Sequence, residues 1–185
     1  MWDRAAEDEM CFGVPVWDAV EAVRYTGGID PVEMRAFLGM CQNAKVDAIV
    51  ESGRGRDAYS TRCLAEYARR TGVVAVSLDW DNRWWNWMVS RTLLWGYRQD
   101  VRILVGDAQV ELAAIVAGLA VPTAVLVDGP KNGSATNLLK QCVRRSGAKV
   151  RVVAQHGAAN WSDFEEQFPG AVRTGQLCLA RVEAG

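Results

Sequence analysis

The sequence predicts an α/β protein: a three-layer sandwich with a mostly parallel sheet, helices on both faces and a helical N-terminal extension. Three observations support this fold. From Val46 onward, short β-branched runs alternate with amphipathic helical stretches. The runs are apolar at consecutive positions, which is typical of strands buried on both faces. Two further helical patterns precede the first run.

The alternating region supplies the predicted sheet. We predict five parallel strands, at residues 46–51, 73–78, 101–105, 123–127 and 149–154. The helices that connect them are predicted at residues 57–70, 82–97, 108–119 and 134–145. A short helix at 161–168 follows, and the Thr174–Gly175 turn predicts a hairpin whose last strand is the run 176–182.

The first 45 residues predict two helices. One begins near Pro15 and ends at Gly27–Gly28. The other opens with Asp30-Pro31-Val-Glu33, a capping box with proline at the first helical position, and continues to about Ala44. We therefore divide the chain into a helical extension or lid, residues 1–45, and a sandwich domain, residues 46–185.

Composition excludes several classes of protein. The chain has 185 residues, 50% of them hydrophobic and 23% charged, as in ordinary globular domains and unlike disordered chains. No apolar stretch approaches the roughly 20 residues of a membrane span, and a net charge of -1 gives no reason to expect binding to nucleic acid. The five cysteines are widely spaced and the first residues are acidic, so we expect reduced thiols and a cytoplasmic location.

Acidic residues end the first four predicted strands. In an open parallel sheet, ligands bind at the carboxyl ends of the strands. Any one of these acids could be a solvated turn residue or a helix cap, but four on one edge suggest a ligand with several hydroxyls or amines. The four acids are Glu51, Asp79, Asp107 and Asp128.

The first strand runs into Gly53-Arg-Gly55-Arg-Asp-Ala58, a G-x-G-x-x-A pattern that opens a helix. Glycines at such a turn allow positive φ and let a ligand approach the backbone beside the positive helix end. The pattern suits a nicotinamide dinucleotide or S-adenosylmethionine. Glu51, two residues before the first glycine, would repel a pyrophosphate and suits the cationic methionine end, so it favours S-adenosylmethionine. Asp79 does not discriminate, because an acid there can bind ribose hydroxyls in either case.

Four motifs together resemble the class I (Rossmann-like) S-adenosylmethionine-dependent methyltransferases. They are Val50-Glu-Ser-Gly-Arg-Gly55, Ser77-Leu-Asp-Trp80, Val105-Gly-Asp-Ala108 and Leu126-Val-Asp-Gly129. The resemblance covers about residues 46–156. It implies that Gly53 and Gly55 cradle the methionine and ribose, and it assigns the ribose hydroxyls and the adenine to residues at the next two strand ends. These are Asp79 for the hydroxyls, Trp80 for the adenine face, and Asp107 and Ala108 for the adenine edge.

The segment Asp128-Gly-Pro-Lys131 is similar to the D-x-x-K element of small metal-dependent O-methyltransferases. That resemblance implies that Asp128 binds a divalent cation such as Mg²⁺ and that Lys131 is the general base. The family has an Asp-Asn pair at the end of the fifth strand, where this chain has Gln155-His156. His156, the only histidine, could replace the missing metal ligand or act as a general base near neutral pH. Alternatively, Lys131 is a solvated loop residue and His156 a polar residue leaving a strand.

Five of the eight tryptophans lie between Trp80 and Trp95. Trp80, Trp84 and Trp87 share one face of the predicted second helix, which favours core packing against the sheet. Part of this stripe could instead form an adenine wall or an acceptor pocket. Trp85 points elsewhere and could belong to a homodimer interface.

These observations lead to one expected function and two alternatives. We expect a cytoplasmic enzyme that transfers a methyl group from S-adenosylmethionine to an oxygen or nitrogen of a small-molecule acceptor. Its partner would be that acceptor, not nucleic acid or a membrane, and a second copy of the chain could form a homodimer with it. The alternatives are an NAD(P)-binding oxidoreductase and a non-catalytic, methyltransferase-like binding module.

Overall fold

A computed structural model describes residues 14–55, 57–80, 88, 92–130, 134–157 and 161–182. Within these residues it has six α-helices and seven strands. The helices are α1 (Val14–Glu21), α2 (Pro31–Asn43), α3 (Tyr59–Thr71), α4 (Ala108–Gly118), α5 (Ser134–Ser146) and α6 (Trp161–Gln167). The strands are β1 (Ala48–Ser52), β2 (Val74–Asp79), β3 (Val101–Val105), β4 (Thr123–Val127), β5 (Val150–His156), β6 (Val172–Thr174) and β7 (Leu177–Arg181).

The strands form one sheet in the order β3-β2-β1-β4-β5-β7-β6. The first five are parallel, whereas β7 runs antiparallel to both of its neighbours, β5 and β6. The predicted α/β sandwich and its terminal hairpin are therefore confirmed. The predicted helix 82–97 lies mostly outside the described residues, and its described end is a 3₁₀ turn at Trp95–Tyr97.

Two hydrophobic layers cover the sheet because successive strand residues point to opposite faces. Ile49 packs into the layer of α1, α2 and α3, together with Phe37 and Leu64. Val50 packs into the layer of α4, α5 and α6, together with Leu139 and Phe164. Both strand residues are buried, which explains why β1 reads as a continuous apolar run.

Helix α2 begins as the sequence predicts. Asp30 accepts a hydrogen bond from the amide of Glu33, and the Glu33 carboxylate accepts one from the amide of Asp30, at 2.9 and 2.8 Å. Pro31 takes the first position, where its missing N–H has no helical partner to lose. Because Phe37 and Leu38 are fully buried, this part of the N-terminal extension belongs to the core that covers the sheet.

None of the described helices has both the length and the apolar composition needed to span a membrane. The four described cysteines are all buried and none forms a disulfide.

Candidate active site

The loop after β1 follows a path that glycine alone can take. Gly53 has φ +91°, and its amide donates to the carbonyl of Leu78 at 2.9 Å. A Cβ on Gly53 would lie 2.5 Å from the amide nitrogen of Gly129. Gly55 has φ +64°, and its amide donates to Oδ2 of Asp79 at 3.2 Å. The loop is thus held against the ends of β2 and β4, where the missing side chain of Gly53 allows the close approach and that of Gly55 leaves open space.

Two adjoining cavities open at the carboxyl ends of the strands, with volumes of about 520 and 320 Å³. They share four lining residues: Gly53, Asp79, Gly129 and Pro130. The larger extends toward the N-terminal extension at Gly27–Ile29, and the smaller toward the start of α4. Together they form one continuous groove around Asp79.

The structure brings most of the predicted cofactor residues to this groove. The larger cavity receives Gly55 as well as Asp128, and the smaller cavity receives Trp80, Asp107 and Ala108. Asp107 also caps α4, accepting a hydrogen bond from the amide of Gln109 at 2.9 Å. The start of α4 therefore faces the smaller cavity.

Glu51 is placed differently from the sequence expectation. It is fully buried beneath the loop and lines neither cavity. The hydroxyls of Ser60, Thr61 and Ser77 all donate to its carboxylate. Burial raises the pKa of Glu51, and these three hydrogen bonds oppose the rise. In this geometry the residue ties β1 to β2 and α3 instead of facing a cofactor.

Arg54, between the two loop glycines, is a buried residue that the sequence did not single out. Its Nη1 donates to the carbonyl of Ser77 at 2.9 Å and to that of Leu104 at 3.2 Å. The guanidinium thus connects the loop to β2 and β3. A glycine-rich pattern alone does not show whether the intervening side chain turns outward or, as here, inward.

His156, at the end of β5, is buried between two carboxylates. Its Nδ1 lies 2.8 Å from Oδ1 of Asp128, and its Nε2 lies 3.3 Å from Oε2 of Glu33. Burial alone would lower the pKa of the imidazole, but the contacts with Asp128 and Glu33 outweigh it and raise the pKa to about 9. His156 is therefore an imidazolium at neutral pH.

Glu33 completes this arrangement from the N-terminal extension. Besides capping α2, its Oε1 accepts a hydrogen bond from the amide of Gln176 at 2.6 Å, in the turn between β6 and β7. Burial alone would raise the pKa of Glu33, but His156 and the amides of Asp30 and Gln176 lower it. The capping box was visible in the sequence, whereas the contacts with His156 and Gln176 had no sequence pattern to predict them.

Two expectations for the end of β5 do not fit this geometry. A general base needs a ring nitrogen that can accept a proton, but both nitrogens of His156 face carboxylate oxygens, which favour a proton on each. A metal ligand needs a free lone pair, so the pair Asp128 and His156 is not a divalent-cation site as arranged. Among the described residues, no group of three His, Cys, Asp or Glu side chains could hold a metal ion. Lys131 lies outside the described residues.

The expectation of core packing for the tryptophan stripe is wrong for its first residue. The side chain of Trp80 is 60% exposed and lines the smaller cavity. Trp95 is 57% exposed, and the Arg98 guanidinium lies over its ring, 4.3 Å from the ring centre. Trp80 follows the last residue of β2, where the chain leaves the sheet, so helical spacing did not apply to it. Trp84, Trp85 and Trp87 lie outside the described residues.

The chain is similar to several solved structures over nearly its whole length. They include an S-adenosylhomocysteine-bound methyltransferase, PaMTH1, from Podospora anserina (12% identity, 99% of this chain and 98% of that chain, TM-score 0.64). They also include the O-methyltransferase TomG from Streptomyces achromogenes in complex with S-adenosylmethionine (17% identity, 98% and 91%, TM-score 0.59). A third is a methyltransferase from Geobacter sulfurreducens (17% identity, 98% and 96%, TM-score 0.57).

No family model matches the sequence, and no curated protein matches it either. The likeness is therefore one of structure, and at these identities it concerns the fold. The strand order, with an antiparallel β7 between β5 and β6, and the glycine loop after β1 agree with that likeness. The chain has the Rossmann-like fold of the class I S-adenosylmethionine-dependent methyltransferases.

Proposed function

We propose that this protein transfers a methyl group from S-adenosylmethionine to an oxygen or nitrogen of a small-molecule acceptor. The observation that carries the proposal is the groove around Asp79, where two cavities meet over a glycine loop at the carboxyl ends of β1, β2 and β4. The adenosine would lie in the smaller cavity, against Trp80 and Asp107. The methionine end would lie in the larger one, with the acceptor on the side of Asp128.

The sheet order argues against the dinucleotide alternative. Open sheets that bind NAD commonly have the order 3-2-1-4-5-6 with parallel strands. Here β7 separates β5 from β6 and runs antiparallel to both. The structures to which the chain is similar include two with S-adenosylmethionine or S-adenosylhomocysteine bound, which supports the methyl donor as ligand.

Charge in the larger cavity supports the same ligand. Three carboxylates line it: Asp57, Asp79 and Asp128. A pyrophosphate would be repelled by this cluster, whereas a sulfonium and an ammonium would be attracted. The negative charge expected from Glu51 thus comes from residues that line the cavity.

Bound S-adenosylmethionine would supply an electrophilic methyl carbon. The lone pair of the acceptor would displace S-adenosylhomocysteine from this carbon, with the C–S electron pair going to sulfur and the acceptor's proton going to solvent water. The chain's main contribution is alignment, because the loop and Asp79 hold one side of the groove and Asp128 borders the other. Of the two catalytic candidates within the described residues, Asp128 lines the cavity and His156 does not, which supports assigning to Asp128 the orientation of the acceptor's O–H or N–H.

Ligand binding tests the proposal directly. Thermal unfolding of the purified protein would be compared with S-adenosylmethionine, S-adenosylhomocysteine and NADH. A ligand at about 100 times its dissociation constant adds roughly 2.7 kcal/mol of apparent stability, so a shift with the two adenosyl compounds alone is expected. A shift with NADH alone would overturn the proposal in favour of an oxidoreductase.

Methyl transfer requires a second experiment. Release of S-adenosylhomocysteine would be followed with panels of small phenols, carboxylic acids and amines. The test variant is Asp128→Asn, which keeps the shape of the side chain but removes its charge. Turnover that depends on Asp128 supports the assignment. If the adenosyl compounds bind but none of the acceptors is methylated, a non-catalytic binding module would be favoured.

A further inference from the structure

We propose that His156 is a positioning residue whose imidazolium serves as the built-in cation between Asp128 and Glu33, in the place where a divalent metal was expected. The role of Asp128 beside the acceptor rests on the proposed function, whereas the contacts of His156 with Asp128 and Glu33 do not. The positive charge that holds the Asp128 carboxylate then comes from a side chain of the protein and not from a metal ion.

The contacts around His156 favour a proton on each of its ring nitrogens. One nitrogen faces Asp128 at 2.8 Å and the other faces Glu33 at 3.3 Å. All three side chains are at least nine-tenths buried. Ionised carboxylate oxygens only accept hydrogen bonds, so two ionised neighbours favour a ring that donates from both nitrogens and carries a positive charge.

The three residues come from three distant parts of the chain. Asp128 follows β4, His156 ends β5, and Glu33 is in the first turn of α2. The backbone around Asp128 is also fixed, because the amides of Asp128 and Gly129 both donate to the carbonyl of Ser52, at 2.8 and 3.2 Å. The imidazolium therefore determines the direction of a carboxylate whose backbone is already held beside the glycine loop.

A divalent ion would compete for the same oxygens. Binding it at Oδ1 of Asp128 would break the 2.8 Å contact with His156, and binding it at either oxygen would place a second cation beside a buried imidazolium. The lost attraction between Asp128 and His156 opposes the first change, and Coulomb repulsion between the two cations opposes the second. The structure thus favours a site in which the charge is permanent and comes from a side chain.

The histidine can be observed directly because it is the only one in the sequence. Protein labelled with ¹⁵N-histidine would be examined by NMR at neutral pH, with and without S-adenosylhomocysteine. We expect both ring nitrogens to be protonated. A single protonated nitrogen would overturn the proposal, whether or not the protein binds the adenosyl ligand, so the two proposals fail separately.

Manganese distinguishes a built-in cation from a metal site. Mn²⁺ is paramagnetic and broadens resonances of nuclei close to its binding site. We expect substoichiometric Mn²⁺ to leave the His156 ring resonances as sharp as those of remote backbone amides. Selective, saturable broadening of the ring, reversed by Mg²⁺, would show a metal bound at Asp128 and would overturn the proposal.

A matched pair of variants tests the role of Glu33. Glu33→Gln keeps the size of the side chain and removes the charge that faces His156. Glu21→Gln makes the same change in another ion pair of the extension, 3.0 Å from Arg35 and far more exposed. We expect Glu33→Gln to shift the ring ¹⁵N resonances and Glu21→Gln to leave them unchanged. Unchanged resonances in both variants would contradict the proposed contact between the Glu33 carboxylate and the His156 imidazolium.

Discussion

The two halves of the sheet's carboxyl edge are built in opposite ways. At β1 and β2 the edge is open: a Cβ on Gly55 would meet nothing within 4 Å, and the side chains that line this part come from the strand ends and the loops beside them. At β5 the edge is closed, because Glu33, His156 and Asp128 are packed together. The open half depends on side chains that are missing, and the closed half on side chains that meet across long distances in sequence.

The largest expected effect is in the open half, from Gly53→Ala. Its Cβ would meet backbone atoms of Asp128 and Gly129, and its φ of +91° disfavours any side chain. Strain and overpacking together predict a loss of roughly 2–5 kcal/mol in unfolding free energy, with loss of the adenosyl ligand's effect. Denaturant unfolding with and without S-adenosylhomocysteine measures both.

Gly118→Ala is the control for that substitution. Gly118 has an ordinary φ, ends α4, and has open space around its would-be Cβ. It should lose neither stability nor ligand binding. If Gly53→Ala behaved in the same way, the close approach of the loop to β4 would be wrong.

The closed half predicts a specific dependence of stability on pH. The pKa of His156 is about 9 in the folded protein and about 6.5 in an unfolded chain. Its contribution is therefore complete below pH 6.5 and is lost as the pH rises through 9, a change of roughly 3 kcal/mol. Unfolding free energies measured from pH 6 to pH 9.5 should fall in the wild type and stay flatter in His156→Gln.

The His156→Gln variant also separates the effect of His156 on stability from that of other groups that titrate over this pH range. Burial raises the pKa of the Cys63 and Cys142 thiols to about 12, so they stay protonated when folded, and both remain in His156→Gln. Equal slopes in the two proteins would mean that His156 does not hold its proton more tightly when the protein is folded.

A smaller effect is expected at the centre of the groove. Asp79→Asn keeps a polar side chain but removes the charge that lines both cavities and accepts from the amide of Gly55. We expect the affinity for S-adenosylhomocysteine, measured by calorimetry, to fall about 10- to 100-fold. Asp47→Asn, an exposed position before β1, should leave it unchanged. An unchanged affinity in both would remove Asp79 from the cofactor site.

The smallest effect concerns the two exposed tryptophans. Trp80 lines the smaller cavity, whereas Trp95 is equally exposed but lines neither of the two cavities of the groove. We expect Trp80→Ala to weaken adenosyl binding by up to about tenfold, the worth of one aromatic contact, and Trp95→Ala to have no effect. Equal effects of the two substitutions would place the adenine elsewhere.

The same contrast explains how much could be predicted from the sequence. The parallel strands, the connecting helices other than the one at 82–97, and the glycine loop are local patterns, and the described residues have them close to where they were expected. Glu51 was misjudged because spacing places a residue at a strand end without showing whether it faces the cavity or the core. The partners of His156 could not be predicted, since Glu33 is 123 positions away and had a sufficient local role as a helix cap.

The hydrogen bond between Glu33 and the amide of Gln176 has a consequence for how the molecule is made. It joins residues 143 positions apart. During synthesis, Gln176 follows Glu33 only after the whole parallel part of the sheet. Until then the Oε2 oxygen of Glu33 has its local partner, the amide of Asp30, but its Oε1 oxygen lacks the amide of Gln176, so the link between α2 and the turn of β6 and β7 depends on a contact of very long sequence separation.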